Sequence, residues 1–173
     1  MGDGPEETEL RLLGLLGIAD APRPEAADAV RLAHAAGVRV VMITGDHPAT
    51  AQSIASQLGI TGEGYPAQDV VYARRTAADK LEIVHAMRKR GEIVAMTGDG
   101  VNDAPSIREA DIGIAMGQTA TEVTREASEM ILTTDDLGGV VAAIREGRII
   151  YANIRKTIVY LLGGNAAELL FML

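Results

Sequence analysis

Thr97-Gly98-Asp99-Gly100-Val101-Asn102-Asp103-Ala104-Pro105 is the stretch that decides the fold of this 173-residue chain. Two carboxylates and an amide lie between Asp99 and Asp103, directly behind an apolar run, Glu92-Ile93-Val94-Ala95-Met96, with the character of a buried strand. A strand that ends in small and acidic residues and then enters a helix sets those side chains at the carboxyl edge of an α/β sheet. Folds of this class keep their sites at that edge. Clustered carboxylates with no Cys or His beside them are the hard oxygen ligands that Mg²⁺ prefers. The plainer alternative is a strand-to-helix turn with acidic capping residues, but the full nine-residue string favours a Mg²⁺-assisted phosphoryl site.

Outward from that string, strands alternate with helices. Apolar runs predict strands over 10–18, 38–43, 70–73, 92–96, 111–115 and 129–132. Helical spacing predicts helices over 25–36, 48–58, 77–89, 104–109 and 122–127, with Gly37, Gly59 and Gly91 ending the first three. Gly62, Gly64 and Pro66 mark a loop. From Leu137 a long helix is expected to run to the end of the chain, loosened at Gly163-Gly164. This alternation means βαβ units, hence an α/β, Rossmann-like fold with a mostly parallel sheet and flanking helices. An internal echo supports it: Val40-Val41-Met42-Ile43-Thr44-Gly45-Asp46 and Ile93-Val94-Ala95-Met96-Thr97-Gly98-Asp99 present the same polar group after two strands.

Composition narrows the function classes. Sixteen Lys and Arg against 24 Asp and Glu give a net charge of −8, which argues against a nucleic-acid partner. Aromatic residues make up 3%, too few for a base-stacking surface. Without Cys there is no disulfide framework, thiolate chemistry or zinc cluster. Residues 1–9 are acidic and polar, expected to be irregular or disordered and unlike a signal peptide. Residues 157–173 contain only Tyr160 and Glu168 as ionisable groups and follow Arg148, Arg155 and Lys156. They are expected to form a membrane helix entered from the cytoplasm and cut off by the chain end, short of the roughly 20 residues a span needs. The expected organisation is a partial α/β domain over 10–136, a stalk helix over 137–156 and a truncated transmembrane helix over 157–173.

Three further positions complete the pattern. Thr44 and Gly45 offer a hydroxyl and a backbone N–H to an anion just ahead of a helix N-terminus, where Asp46 is placed as an N-cap. Lys80 opposes the dipole at the start of its helix; a carboxylate or phosphate partner at the sheet edge would account for it, and a solvated lysine is the plainer alternative. A hydroxyl after one strand, a lysine opening a later helix and GDxxxD after a further strand form the motif order of the haloacid dehalogenase superfamily. Within it the chain resembles the phosphorylation domain of the type-II, calcium-pump-like P-type cation-transporting ATPases. Thr44-Gly45-Asp46 is similar to the TGD motif, Lys80 to the phosphate-pairing lysine and Thr97–Pro105 to the hinge motif. Asp111-Ile112-Gly113-Ile114-Ala115-Met116-Gly117 and Ala127-Ser128-Glu129-Met130 extend the likeness.

The resemblance implies that Thr44, Gly45, Asp46 and Lys80 bind the transferred phosphoryl group. It implies that Asp99 and Asp103 ligate Mg²⁺, with Asn102 completing the geometry. ATP is the family's substrate, although its nucleotide domain has no counterpart here. Asn165 and Glu168, three apart on one helix face, resemble ion-binding positions for a transported cation, with Ca²⁺ favoured. The expected setting is a membrane with the haloacid-dehalogenase-like domain on its cytoplasmic side, and the expected partners are the remaining pump domains. The likeness breaks at the nucleophile, because no DKTGT motif occurs in the sequence. A chain lacking that strand is expected to leave a gap in the sheet and to be inactive alone. A pump fragment is favoured over a free-standing Mg²⁺- and phosphate-binding regulatory module that associates with an intact pump.

Overall fold

The computed structural model describes Gly14, residues 21–60 and residues 69–172. The expected irregular N-terminus, the 62–66 loop and all of the expected strand over 10–18 except Gly14 lie outside the described residues.

The elements run α1 (Pro24–Ala35), β1 (Met42–Ile43), α2 (Pro48–Leu58), β2 (Val71–Tyr72), α3 (Ala77–Lys89), β3 (Ala95–Gly98), α4 (Ala104–Glu109), β4 (Ile112–Ala115), α5 (Glu122–Glu126), β5 (Met130–Ile131) and α6 (Gly138–Met172). Local chemistry sets most of these bounds. Pro24 and Pro48 open α1 and α2, where a missing N–H costs nothing. Gly59 stops α2 by taking φ +71°, a left-handed conformation that a Cβ disfavours. α3 carries a full capping box: Thr76 accepts from Asp79 N, and the Asp79 carboxylate accepts from Thr76 N.

The strands pair in parallel but form two sheets, β1-β2 and β3-β4-β5. Among the described strands, the single sheet expected from the alternation is therefore divided into these two separately paired sets. β1 and β2 hold a register of only two residues, Met42 opposite Val71 and Ile43 opposite Tyr72. The expected strand over 38–43 shrinks to that pair because only those residues find a ladder partner among the described residues. β3 extends beyond its apolar run to include Thr97 and Gly98, so the signature string begins inside the strand.

Each sheet has its own packing. Val30, Ala55, Ile60 and Val70 bury against Val40, Met42, Leu58 and Val71 beside β1-β2. Val84, Ile107 and Ile114, from α3, α4 and β4, are fully buried around β3-β4-β5, and Met87 and Leu132 are buried nearly as well. At β4, a Cβ on Gly113 would lie 2.7 Å from Ile107 Cγ2, so the missing side chain lets α4 sit down on the sheet.

α6 begins where the Asp136 carboxylate accepts from Gly138 N, packs against α1, and runs unbroken for 35 residues. The loosening expected at Gly163-Gly164 does not occur, because a helix tolerates glycine at a modest cost in propensity. Among the described residues no helix is long and apolar enough to cross a membrane. Residues 157–172, in the segment expected to be the truncated start of a membrane helix, continue α6.

Candidate functional site

The two polar loops hang from the carboxyl ends of β1 and β3. After β1 the chain is tied to the segment following β2: Thr44 N donates to Tyr72 O at 2.9 Å, Arg75 N to Thr44 O at 2.9 Å and Arg74 N to Asp46 O at 3.0 Å. Arg74 takes φ +52° to make that bond, an uncommon conformation for a residue with a side chain. The Thr44 hydroxyl accepts from Asp46 N at 3.1 Å, which closes the turn and leaves the hydroxyl proton available. Gly45 and Asp46 are exposed. Asp46 is not the cap of α2. His47 takes that place, its Nδ1 accepting from Ala49 N at 3.2 Å, because Asp46 is held one residue too early by the turn on Thr44.

After β3 the loop is built around Asp103. A 3₁₀ turn over Val101–Asp103 brings Asp103 N to Gly100 O at 2.9 Å, and Ser106 Oγ donates to Asp103 O at 2.8 Å. The side chain then folds back over the strand. A Cβ on Gly98 would stand 2.6 Å from Asp103 Cβ, so only glycine leaves room for it. There Lys80 Nζ meets Asp103 Oδ1 at 2.5 Å, with the Asp103 side chain only 11% exposed. This is the carboxylate partner that the lysine at the start of α3 required. A short, largely desolvated, charge-assisted bond offsets the unfavourable helix dipole.

Asp99 and Asn102 differ from Asp103. Both are exposed, and neither side chain makes a hydrogen bond or ion pair among the described residues. The backbone of Asp99, by contrast, is anchored. Thr121 N donates to Asp99 O at 3.0 Å, and the buried Thr124 hydroxyl lies 3.0 Å from Gly100 O. Sequence reasoning missed these two threonines. The T-x-x-T spacing at the start of a short helix shows a cap, but not that the cap reaches back across 24 residues.

The structure thus brings together Lys80 and Asp103, with Asp99 and Asn102 in the same loop. Thr44, Gly45 and Asp46 end a strand of the other sheet, and no described hydrogen bond joins them to the 98–103 loop. Among the described residues no group of three His, Asp or Glu side chains is placed to hold a metal ion. The Asp99 and Asp103 carboxylates are hard oxygen donors, so the residues present fit Mg²⁺ as an incomplete set. Asn165 and Glu168 lie on α6, exposed and without a hydrogen bond or ion pair among the described residues.

Comparison with known proteins identifies the family of the chain. The family described as haloacid dehalogenase-like hydrolase matches residues 2–111, more than half of the chain. The chain is 49% identical to the cation-transporting ATPase pma1 of Synechocystis, over 95% of this chain and 20% of that protein. It is 46% identical to a calcium-transporting ATPase of Bacillus subtilis, over 96% of this chain and 21% of the relative. The human calcium-transporting ATPase type 2C member 1 is 43% identical, over 98% and 20%. Among solved structures, a zinc-transporting PIB-type ATPase in its E2.Pi state matches with a TM-score of 0.74 and 38% identity, over 83% of this chain and 22% of that one. The chain spans about a fifth of the length of the curated relatives it matches. It belongs to the haloacid dehalogenase-like hydrolase family, and within that family it is similar to one part of the P-type cation-transporting ATPases.

Proposed function

We propose that this chain carries the Mg²⁺- and phosphate-holding half of the phosphorylation site of a P-type cation pump, which couples ATP hydrolysis to transport through an aspartyl-phosphate. The observation that carries the reading is the Lys80–Asp103 pair beside the Asp99 carboxylate, which has no hydrogen bond or ion pair among the described residues. A transferred phosphoryl group needs cations around its equatorial oxygens and donors fixed in advance. Lys80 supplies a fixed ammonium, and the Thr44 hydroxyl and Gly45 N–H supply hydrogen bonds from the other sheet. Asp99 and Asp103, with Asn102, would hold Mg²⁺, which supplies charge neutralisation on the phosphoryl oxygens.

The phosphate acceptor itself is missing from this sequence, which has no DKTGT. The chain alone would therefore form no aspartyl-phosphate, and that the described strands fall into two separate sheets is in keeping with a missing strand that would bring the acceptor. Residues 10–136 act as the catalytic part on the cytoplasmic side, 137–156 as a stalk, and 157–173 as the start of a segment that meets the membrane. For the cargo, Asn165 and Glu168 on one face of α6 and the absence of Cys favour a hard cation, Ca²⁺ before a soft metal. The calcium-transporting relatives support that choice.

Titration of the chain with MgCl₂ in the presence of orthophosphate, followed by amide NMR, tests the reading. Saturable shifts are expected at residues 98–103 and beside Thr44 and Lys80, and Asp99→Asn is expected to abolish them. Shifts absent from the wild-type chain would sink the proposal. Phosphate release from acetyl phosphate by the wild-type chain, lost in Asp99→Asn, would overturn the statement that it is inactive alone.

A further inference from the structure

We propose that Thr124 is a positioning residue for Asp99, holding the backbone of the metal loop so that the carboxylate is presented in one place. The inference rests on the Mg²⁺ reading of that loop. Asp99 stands between Gly98, the last residue of β3, and Gly100, whose missing side chain leaves the backbone after Asp99 with few steric restraints of its own. A ligand so placed is useful only if something else fixes it.

The fixing groups come from α5. Thr124 is fully buried, and its hydroxyl lies 3.0 Å from Gly100 O and 3.4 Å from Asp99 O. Thr121 Oγ1 lies 2.8 Å from Thr124 Oγ1 and also accepts from Thr124 N at 3.3 Å. One assignment satisfies every atom: the Thr121 hydroxyl donates to Thr124, and the Thr124 hydroxyl donates to Gly100 O. Thr121 N adds its own bond to Asp99 O at 3.0 Å, and Asp103 N closes the loop onto Gly100 O at 2.9 Å.

Both carbonyls beside the carboxylate are therefore anchored on the buried side, while the carboxylate has no hydrogen bond or ion pair among the described residues. Valine would fill the space of Thr124 with no hydroxyl to satisfy, so these bonds are the reason for a polar group at a fully buried position. Supporting groups of this kind commonly change metal affinity by ten- to a hundredfold when lost.

The experiment compares wild type, Thr124→Val, Thr124→Ser and Asp99→Asn in the full chain. MgCl₂ titration is followed by amide NMR, and amide hydrogen exchange of residues 99–103 is measured without metal. Thr124→Val is expected to weaken Mg²⁺ affinity about tenfold and to speed exchange in the loop, with Thr124→Ser restoring both. Should Thr124→Val fail to fold, Thr124→Ala removes the same hydroxyl without the branched side chain. A Thr124→Val chain that loses stability to urea but binds Mg²⁺ like wild type, while Asp99→Asn does not bind, overturns the positioning role alone. A wild-type chain whose 98–103 amides ignore Mg²⁺ overturns this role and the proposed function together.

Discussion

Gly98 and Lys80 show how single positions shape the site. A methyl group at Gly98 collides with the Asp103 side chain 2.6 Å away. Gly98→Ala is expected to cost about 1–3 kcal/mol by urea unfolding, and to displace Asp103 from Lys80. At Gly117 the clash is worse, since a Cβ would stand 2.0 Å from Leu132 O, a backbone atom that cannot rotate away. Gly117→Ala should therefore cost more than Gly98→Ala, and the reverse order would contradict the packing described. Lys80→Met leaves a mostly buried carboxylate unpaired, with an expected loss of about 1–3 kcal/mol in the same measurement. The string 97–105 was legible at this scale because its meaning lies in adjacent residues. The partner of Lys80 was legible only as a class, carboxylate or phosphate. The cap of α2 was misread: Asp46 has the better side chain, but the turn on Thr44 hands the position to His47.

Among the elements, α3 is the most fully specified by local chemistry. Its capping box satisfies two backbone donors reciprocally, and the Thr76 hydroxyl also donates to the Asp79 carboxylate at 2.8 Å. Thr76→Ala should cost about 1 kcal/mol in thermal or urea unfolding; a neutral result would mean that the box adds nothing to α3. Helix positions followed from the sequence to within a residue or two, since proline, glycine and capping residues act over one turn. Strand bounds did not, because a strand is defined by its neighbour. β1 keeps two of six expected residues, and β3 shifts toward the signature loop.

For the whole molecule, acid is the informative variable. Asp79 is held below the usual carboxylate range, chiefly by the Thr76 backbone N–H. Asp111 is held low first by Val94 N and then by Arg88, and Asp135 first by Gln118 N. Glu109 is held low mainly by the hydrogen bond from His85, with Arg88 adding to it. A carboxyl whose pKa is depressed by folding stabilises the fold above its unfolded value and loses that contribution as pH falls through the folded value. Stability should therefore hold from neutral pH to about 5 and decline below about 4. A urea midpoint that rises in this acid range would contradict the sign. A second property of the whole chain is the exposed apolar surface of α6, with Tyr160 and Leu170 each 80% exposed and Phe171 95%. Surface of that kind associates in water. The full chain should elute as oligomers or require detergent in size-exclusion chromatography, and a chain ending at Lys156 should be monomeric. Two monodisperse monomers would show that the helix end is not sticky.

By itself the sequence determined the α/β class, the order of strands and helices, the signature loop and the absence of the acceptor motif. Periodicity, caps and motif strings are properties of neighbouring residues, and these survive without knowledge of packing. A gap in the sheet was expected from the missing acceptor strand, but only the tertiary structure decided which described strands pair with which, that Lys80 closes on Asp103 over Gly98, and that Thr124 grips the carbonyl of Gly100. Each of these joins groups more than a dozen residues apart or depends on space that no side chain may enter. Distances of that kind are set by how helices settle on sheets, and no local pattern in the chain encodes them.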